Sequence, residues 1–271
     1  MTGGVTWWYG RDQDADAPRR ITTMTGSRLA VLACALLAGG ALAAAAVGPS
    51  PAASAPARSH ESAAPRALDD RVRAFLARSR GKWRDLNVPY EDGQVLHDLV
   101  VRKGFQRGLE IGTSTGHSTI WIAWAMSQTG GRLTTIEIDE RRHQTALANI
   151  EEAGLAPFVD ARLADAHQLV KELAGPFDFV FSDADKEWYT QYFKDVDPKL
   201  AAGGCFTAHN VARSNVEGIR EFLDYVRSRP NYQTTVDRTS SEGISISCKT
   251  KHQAADPTVP GRLRLARMLA P

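Results

Sequence analysis

Cysteine is scarce: Cys34, Cys205 and Cys248 stand far apart in a chain of 271 residues. They make no CxxC pair and no metal-ligand spacing, which excludes a zinc ribbon and a thioredoxin-like redox motif. Cys34 follows Val31, Leu32 and Ala33 in a loose likeness of a lipobox, but most of the apolar run comes after it, which argues against lipidation. An excess of one charge is also missing. Lys and Arg number 33 against 31 Asp and Glu, and the surplus is scattered, so nucleic acid as a partner has no electrostatic footprint. The G-x-G-x-x-G turn of a dinucleotide-binding fold is absent as well. With 43% hydrophobic and 24% charged residues, the composition is that of a globular protein and not of a collagenous, coiled-coil or disordered one.

Only one long uncharged run is present, from Leu29 to Val47, preceded by Arg19, Arg20 and Arg28. A Pro/Ala/Ser tract follows to Ala57, and within it Ala53-Ser54-Ala55 fits a small-x-small cleavage pattern. Residues 1–57 are therefore expected to be a polar leader, a signal peptide and a linker. An uncleaved membrane anchor through residues 29–47 is the alternative, because the run is long enough to span a bilayer although weakly apolar. The expected location is exported or membrane-anchored, with cytoplasmic as the alternative. Arg19-Arg20 lies too far ahead of the run for a twin-arginine signal, and Met24 is the more conventional start for a signal peptide.

Beyond the linker, residues 66–250 suit one domain with one core. Leu68, Val72, Phe75 and Leu76 recur at helical spacing between Arg66 and Trp83, predicting a helix that packs across the domain. A second helix is predicted from Gln94 to Lys103, after a loop over Asn87–Gly93. Short apolar runs then alternate with helical patterns: strands Gly108–Ile111, Arg132–Ile138, Val159–Leu163, Phe177–Ser182 and Cys205–His209, with helices from His117, Glu140, Ala166, Glu187 and Val216. Two last strands, Gln233–Val236 and Gly243–Cys248, flank a short polar turn. The fold class read from this order is α/β: a Rossmann-like, doubly wound seven-stranded sheet, mostly parallel, ending in an antiparallel hairpin. Residues 251–271 have no readable period and are taken as a tail.

Ligands of such sheets sit at the carboxyl ends of the strands where strand order reverses. The first strand runs into Leu109-Glu110-Ile111-Gly112-Thr113-Ser114-Thr115-Gly116-His117-Ser118, where Gly112 and Gly116 permit a tight turn. Glu110 beside that turn would repel a pyrophosphate but suits a ligand with an amino group and a sulfonium, which favours S-adenosylmethionine (AdoMet) over NAD. Glu137, at the end of the second strand, is placed to accept hydrogen bonds from a ribose diol, or else to cap the helix from Glu140. Asp165 and Ala166 are placed to flank the adenine, Asp165 serving also as an N-cap. The fourth strand ends in Ser182-Asp183-Ala184-Asp185-Lys186-Glu187-Trp188-Tyr189 and the fifth in His209-Asn210. Asp183 and Asn210 supply hard oxygen donors for a divalent cation, and Lys186 a base.

These motifs carry a resemblance. From about Asn87 to Lys249 the chain resembles the catechol and caffeoyl-CoA type of class I, metal-dependent O-methyltransferases, in the Asn87-Val88 start of the loop, LEIGTSTGHS, TIEID, DADKEWY and the Asn of AHN. The resemblance implies AdoMet contacts from Val88, Glu110, Gly112, Ser118, Glu137, Asp165, Ala166 and Asp183, a metal held by Asp183 and Asn210, and Lys186 deprotonating a small-molecule hydroxyl acceptor, phenolic or catechol-like. It also implies a homodimer. One position departs from it: the family has Asp-Asn where this chain has His209-Asn210. An imidazole in place of a carboxylate weakens a magnesium site and suits manganese or a softer ion, so His209 is either a third ligand or a hydrogen-bonded strand-end histidine with the cation weakly held or absent. Read the second way, the chain becomes an AdoMet-binding module with a decayed metal site, the alternative function. In the family the fifth and last strands pair antiparallel, which would bring Cys205 and Cys248 close. Cross-strand neighbours seldom meet disulfide geometry, so buried free thiols are the expectation. Export sits awkwardly with a cofactor made inside cells.

Overall fold

The computed structural model describes residues 63–212 and 215–250; the leader, signal or anchor segment and the tail read from the sequence lie outside them. Seven strands form one sheet in the order β3-β2-β1-β4-β5-β7-β6. They are β1 (Arg107–Ile111), β2 (Arg132–Glu137), β3 (Val159–Leu163), β4 (Phe177–Ser182), β5 (Leu200–His209), β6 (Tyr232–Asp237) and β7 (Ile244–Lys249). β1 pairs in parallel with both β2 and β4, so strand order reverses there and a crevice opens beyond Ile111 and Ser182. Seven helices surround the sheet: α1 (Ala63–Ser79), α2 (Tyr90–Lys103), α3 (His117–Thr129), α4 (Glu140–Ala153), α5 (Ala166–Glu172), α6 (Tyr189–Val196) and α7 (Glu217–Arg227).

Side chains of the central strands alternate between two cores, as the period of two requires. Phe179 and Phe181 point into the core under α1, α2 and α3, whereas Leu109, Ile111, Val180 and Phe206 join the core of α6 and α7. α3 is buried at every position from His117 to Met126, because α1 and α2 cover the side that the sheet does not. α1 is the packing helix its periodicity predicts. Val72, Phe75 and Leu76 are buried, and Arg71 donates to the carbonyls of Glu151 and Glu152 at 2.7 and 2.9 Å, satisfying the open end of α4.

Three boundaries differ from the sequence reading. α2 begins at Tyr90, so Asp92 and Gly93 belong to its first turn and not to a loop. Gly93 is there because the Trp121 ring fills the space of a side chain: a Cβ would lie 2.1 Å from Trp121 Cδ1. β5 starts at Leu200, paired with Phe177 ahead of an irregular stretch, and its Ala-Ala-Gly-Gly run carries no apolar pattern. The helix expected from Glu187 is a 3-10 turn over Lys186–Trp188 before α6.

Cys205 and Cys248 face each other across β5 and β7 and form a disulfide, with Cα atoms 4.0 Å apart. The expectation of free thiols is corrected by this register, which sets the two residues directly opposite one another.

Candidate active site

At the switch point lies a cavity of about 560 Å³, floored by the ends of β1, β2, β4 and β5 and roofed by residues 86–89. Of the sequence-predicted residues, Gly112, Glu137, Asp165, Ala166, Asp183, Lys186, His209 and Asn210 line it. Val88, Glu110 and Ser118 do not. Val88 is buried and its carbonyl accepts from His117 Nδ1 at 2.9 Å, so Leu86, Asn87 and Pro89 make the wall instead. Ser118 is buried at the start of α3. Glu110 is wholly buried at the base of the turn, its Oε2 accepting from Thr119 at 2.5 Å and Thr135 at 2.6 Å. Burial pushes its carboxyl up to about 7 against the hydrogen bonds of Ser118, Thr119 and Thr135.

The cofactor end is built from backbone and carboxylate. Gly112 has φ 97°, and a Cβ there would lie 2.9 Å from the Asp183 carbonyl oxygen; only glycine lets β1 turn this close to β4. Glu137 accepts from Ser114 N at 2.7 Å and from Ile138 N and Asp139 N at 3.0 Å, which fixes its carboxylate at the cavity wall. The helix cap is Asp139, accepting from Arg142 N at 2.8 Å, so Glu137 has no capping role. Asp165 does both things expected of it, capping α5 through His167 N at 2.9 Å and lining the cavity.

The roof is held by a neutral histidine. Trp121 Nε1–H donates to His117 Nε2 at 3.1 Å, which fixes the proton on Nδ1 and makes that atom the donor to Val88 O. Burial pushes His117 down to about 4, in keeping with this tautomer. Asp85, paired to Arg142 at 2.8 and 3.1 Å, ties the same segment to α4.

At the opposite end Lys186 Nζ donates to Asp183 Oδ1 at 2.6 Å. Asp183 Oδ2 meets His209 Nδ1 at 3.1 Å, and His209 Nε2 meets Asp92 Oδ2 at 2.7 Å. Burial opposes charge on His209, but the two carboxylates outweigh it and raise the imidazole to about 9. Burial likewise works against the Asp183 carboxylate, and His209 and Lys186 together hold it below the ordinary value. Asn210 Nδ2 donates to Glu242 at 2.6 Å, which brings the β6–β7 turn to the cavity edge.

A divalent cation here would have to compete with hydrogen bonds already made by the donor set. Both His209 nitrogens and both Asp183 oxygens are taken by side-chain partners. Among the described residues no group of three or more His, Cys, Asp and Glu side chains is arranged to hold a metal. The structure thus brings Asp183, His209 and Asn210 together as the resemblance implies, with both His209 nitrogens hydrogen-bonded to carboxylates.

Asp185, expected beside Asp183 to orient Lys186 or line the pocket, lines it and pairs with His167 Nε2 at 2.9 Å. Other cavity residues escaped the sequence reading. His167 stacks on Trp188 with ring centroids 3.8 Å apart. Tyr192, Arg142 and Glu242 also line the space. The acidic side chains here, Glu137, Asp165, Asp183, Asp185 and Glu242, outnumber Arg142 and Lys186, a balance suited to a cationic ligand.

The O-methyltransferase family model matches residues 59–216. The chain belongs to the O-methyltransferase family. As an O-methyltransferase it is an enzyme of the AdoMet-dependent, catechol and caffeoyl-CoA type. It is 45% identical over 176 residues to a catechol O-methyltransferase of Niastella koreensis, covering 59% of this chain and 77% of that one. With caffeoyl-CoA O-methyltransferase 1 of Zea mays it shares 31% identity over 128 residues, 45% of this chain and about half, 49%, of the maize protein. An O-methyltransferase of Bacillus cereus solved with SAH superposes with a TM-score of 0.58 at 30% identity, covering 68% of this chain and 90% of the other.

Proposed function

We propose that this O-methyltransferase carries the AdoMet methyl group to a phenolic hydroxyl, that of a catechol or a similar small molecule. The observation that carries this reading is one cavity with two unlike ends. A glycine turn and a fixed carboxylate lie at the first, and a lysine held by Asp183 at the second. The acidic lining suits the ammonium and sulfonium of AdoMet. Glu137 faces the ribose, and Asp165, Ala166 and His167 border the adenine.

Methyl transfer is a displacement in which the acceptor oxygen attacks the methyl carbon as the carbon–sulfur bond breaks, leaving a neutral thioether. The acceptor must first lose its proton. Lys186, after its own proton has passed to solvent, accepts the acceptor's proton as a neutral amine and, restored as an ammonium paired with Asp183, stays beside the oxygen. No step here is assigned to a metal.

Lys186→Ala tests the assignment. With radiolabelled AdoMet and a panel of catechols, kcat falls roughly 10²- to 10⁴-fold, the range of a lost acid–base group, while AdoMet affinity is kept. An equal loss of AdoMet affinity would mean that Lys186 holds the cofactor instead.

A further inference from the structure

Asp92 lies on the first turn of α2, wholly buried and 117 residues from His209 in sequence, yet its Oδ2 sits 2.7 Å from the imidazole Nε2. Ser240, from the β6–β7 turn, donates to the same oxygen at 2.7 Å. Asp92, His209, Asp183 and Lys186 thus form one chain of alternating sign that crosses the strand ends. An imidazole with a carboxylate oxygen at each nitrogen carries a proton on both. Two carboxylates are therefore matched by two internal cations, and the formal charge that would draw a metal ion is cancelled.

We propose that the Asp92–His209–Asp183 array takes the place of a divalent cation, so that this enzyme transfers methyl groups without one. The inference rests on the methyltransferase reading but concerns how the site is charged, not what it transfers. To admit a metal, the site would have to break the hydrogen bonds that tie His209 to two carboxylates and leave the buried Asp92 without its partner. Both ring N–H groups are committed to carboxylates, so His209 is a positioning residue: it fixes Asp183, which in turn aims Lys186. Asp92 does the same one step further back, and its burial under Ser240 keeps water from competing. A histidine at the end of β5 and an aspartate at the start of α2 form a matched pair in this chain, and without His209 the buried Asp92 has no cationic partner.

The test is manganese binding by the full chain, followed by electron paramagnetic resonance, beside turnover of a catechol in a chelator. The wild type is expected to leave the free-ion signal unchanged at equimolar manganese and to keep its rate in chelator. His209→Asp, and Asp92→Asn/His209→Asp in case three carboxylates prevent folding, are expected to gain manganese affinity by roughly 10-fold or more, the scale on which groups around a metal act. Tight manganese binding by the wild type, or turnover abolished by chelator and restored by metal, would overturn the proposal. So would variants that fold and bind no more manganese than the wild type. Absence of turnover under all conditions would count against the acceptor assignment, and the resonance signal would still decide whether the site takes a metal.

Discussion

His209 is the residue on which the electrostatics of this site turn, and it is where the sequence left two readings open. An imidazole at the end of β5 serves a metal or a carboxylate equally well; the choice is made by Asp92, whose side chain arrives from α2. Asp92 gave no signal because it was assigned to a loop, and a lone acid beside a glycine reads as a turn. The raised His209 value has a direct consequence. Because it lies above the ordinary 6.5 of the side chain, its contribution to stability is complete below pH 6.5 and is lost as pH rises through about 9. Thermal melts are expected to fall over that interval, and the Cε1 signal of ¹³C-labelled His209 to titrate near 9; a midpoint near 6.5 would show that the two carboxylates do not hold it.

At the scale of elements, α2 and the β5–β7 pair carry the predictions. Gly93 marks where a helix needs a notch, not a bend, so Gly93→Ala is expected to destabilise the domain by about 1–3 kcal/mol through overpacking against Trp121, with little change in helix content by circular dichroism. A melt unchanged from the wild type would mean that the ring moves aside freely. Cys205 and Cys248 close a 43-residue separation, and joining a loop of that size contributes about 2–4 kcal/mol by restricting the unfolded chain. Mass mapping without reductant should find the two linked, and Cys205→Ser should lower the melting temperature; two free thiols would contradict the bond. Such a bond persists in oxidising compartments. The pairing was not legible from the sequence alone, because spacing shows that two cysteines lie on strands without showing that they fall in one row.

For the whole molecule, the seven-stranded order and the switch point were legible because they follow from alternation of period two and period 3.6 along the chain. Gly112, Glu137, Asp165 and Lys186 were legible for the same reason: each ends a strand or opens the segment after it, where ligands of such sheets bind. Val88 and Ser118 were placed in contact with the cofactor by resemblance and Glu110 also by its charge beside the turn, and the structure buries all three outside the cavity lining. Loop residues such as Asn87 and Arg142 gave no period to read. The account stands on AdoMet occupying the cavity at the switch point. Calorimetric titration of the full chain with AdoMet, in chelator and again with manganese, tests it most directly. The expected result is one site per chain with the same affinity in both buffers; no heat of binding in either would contradict the account, leaving a methyltransferase fold that does not hold the methyl donor.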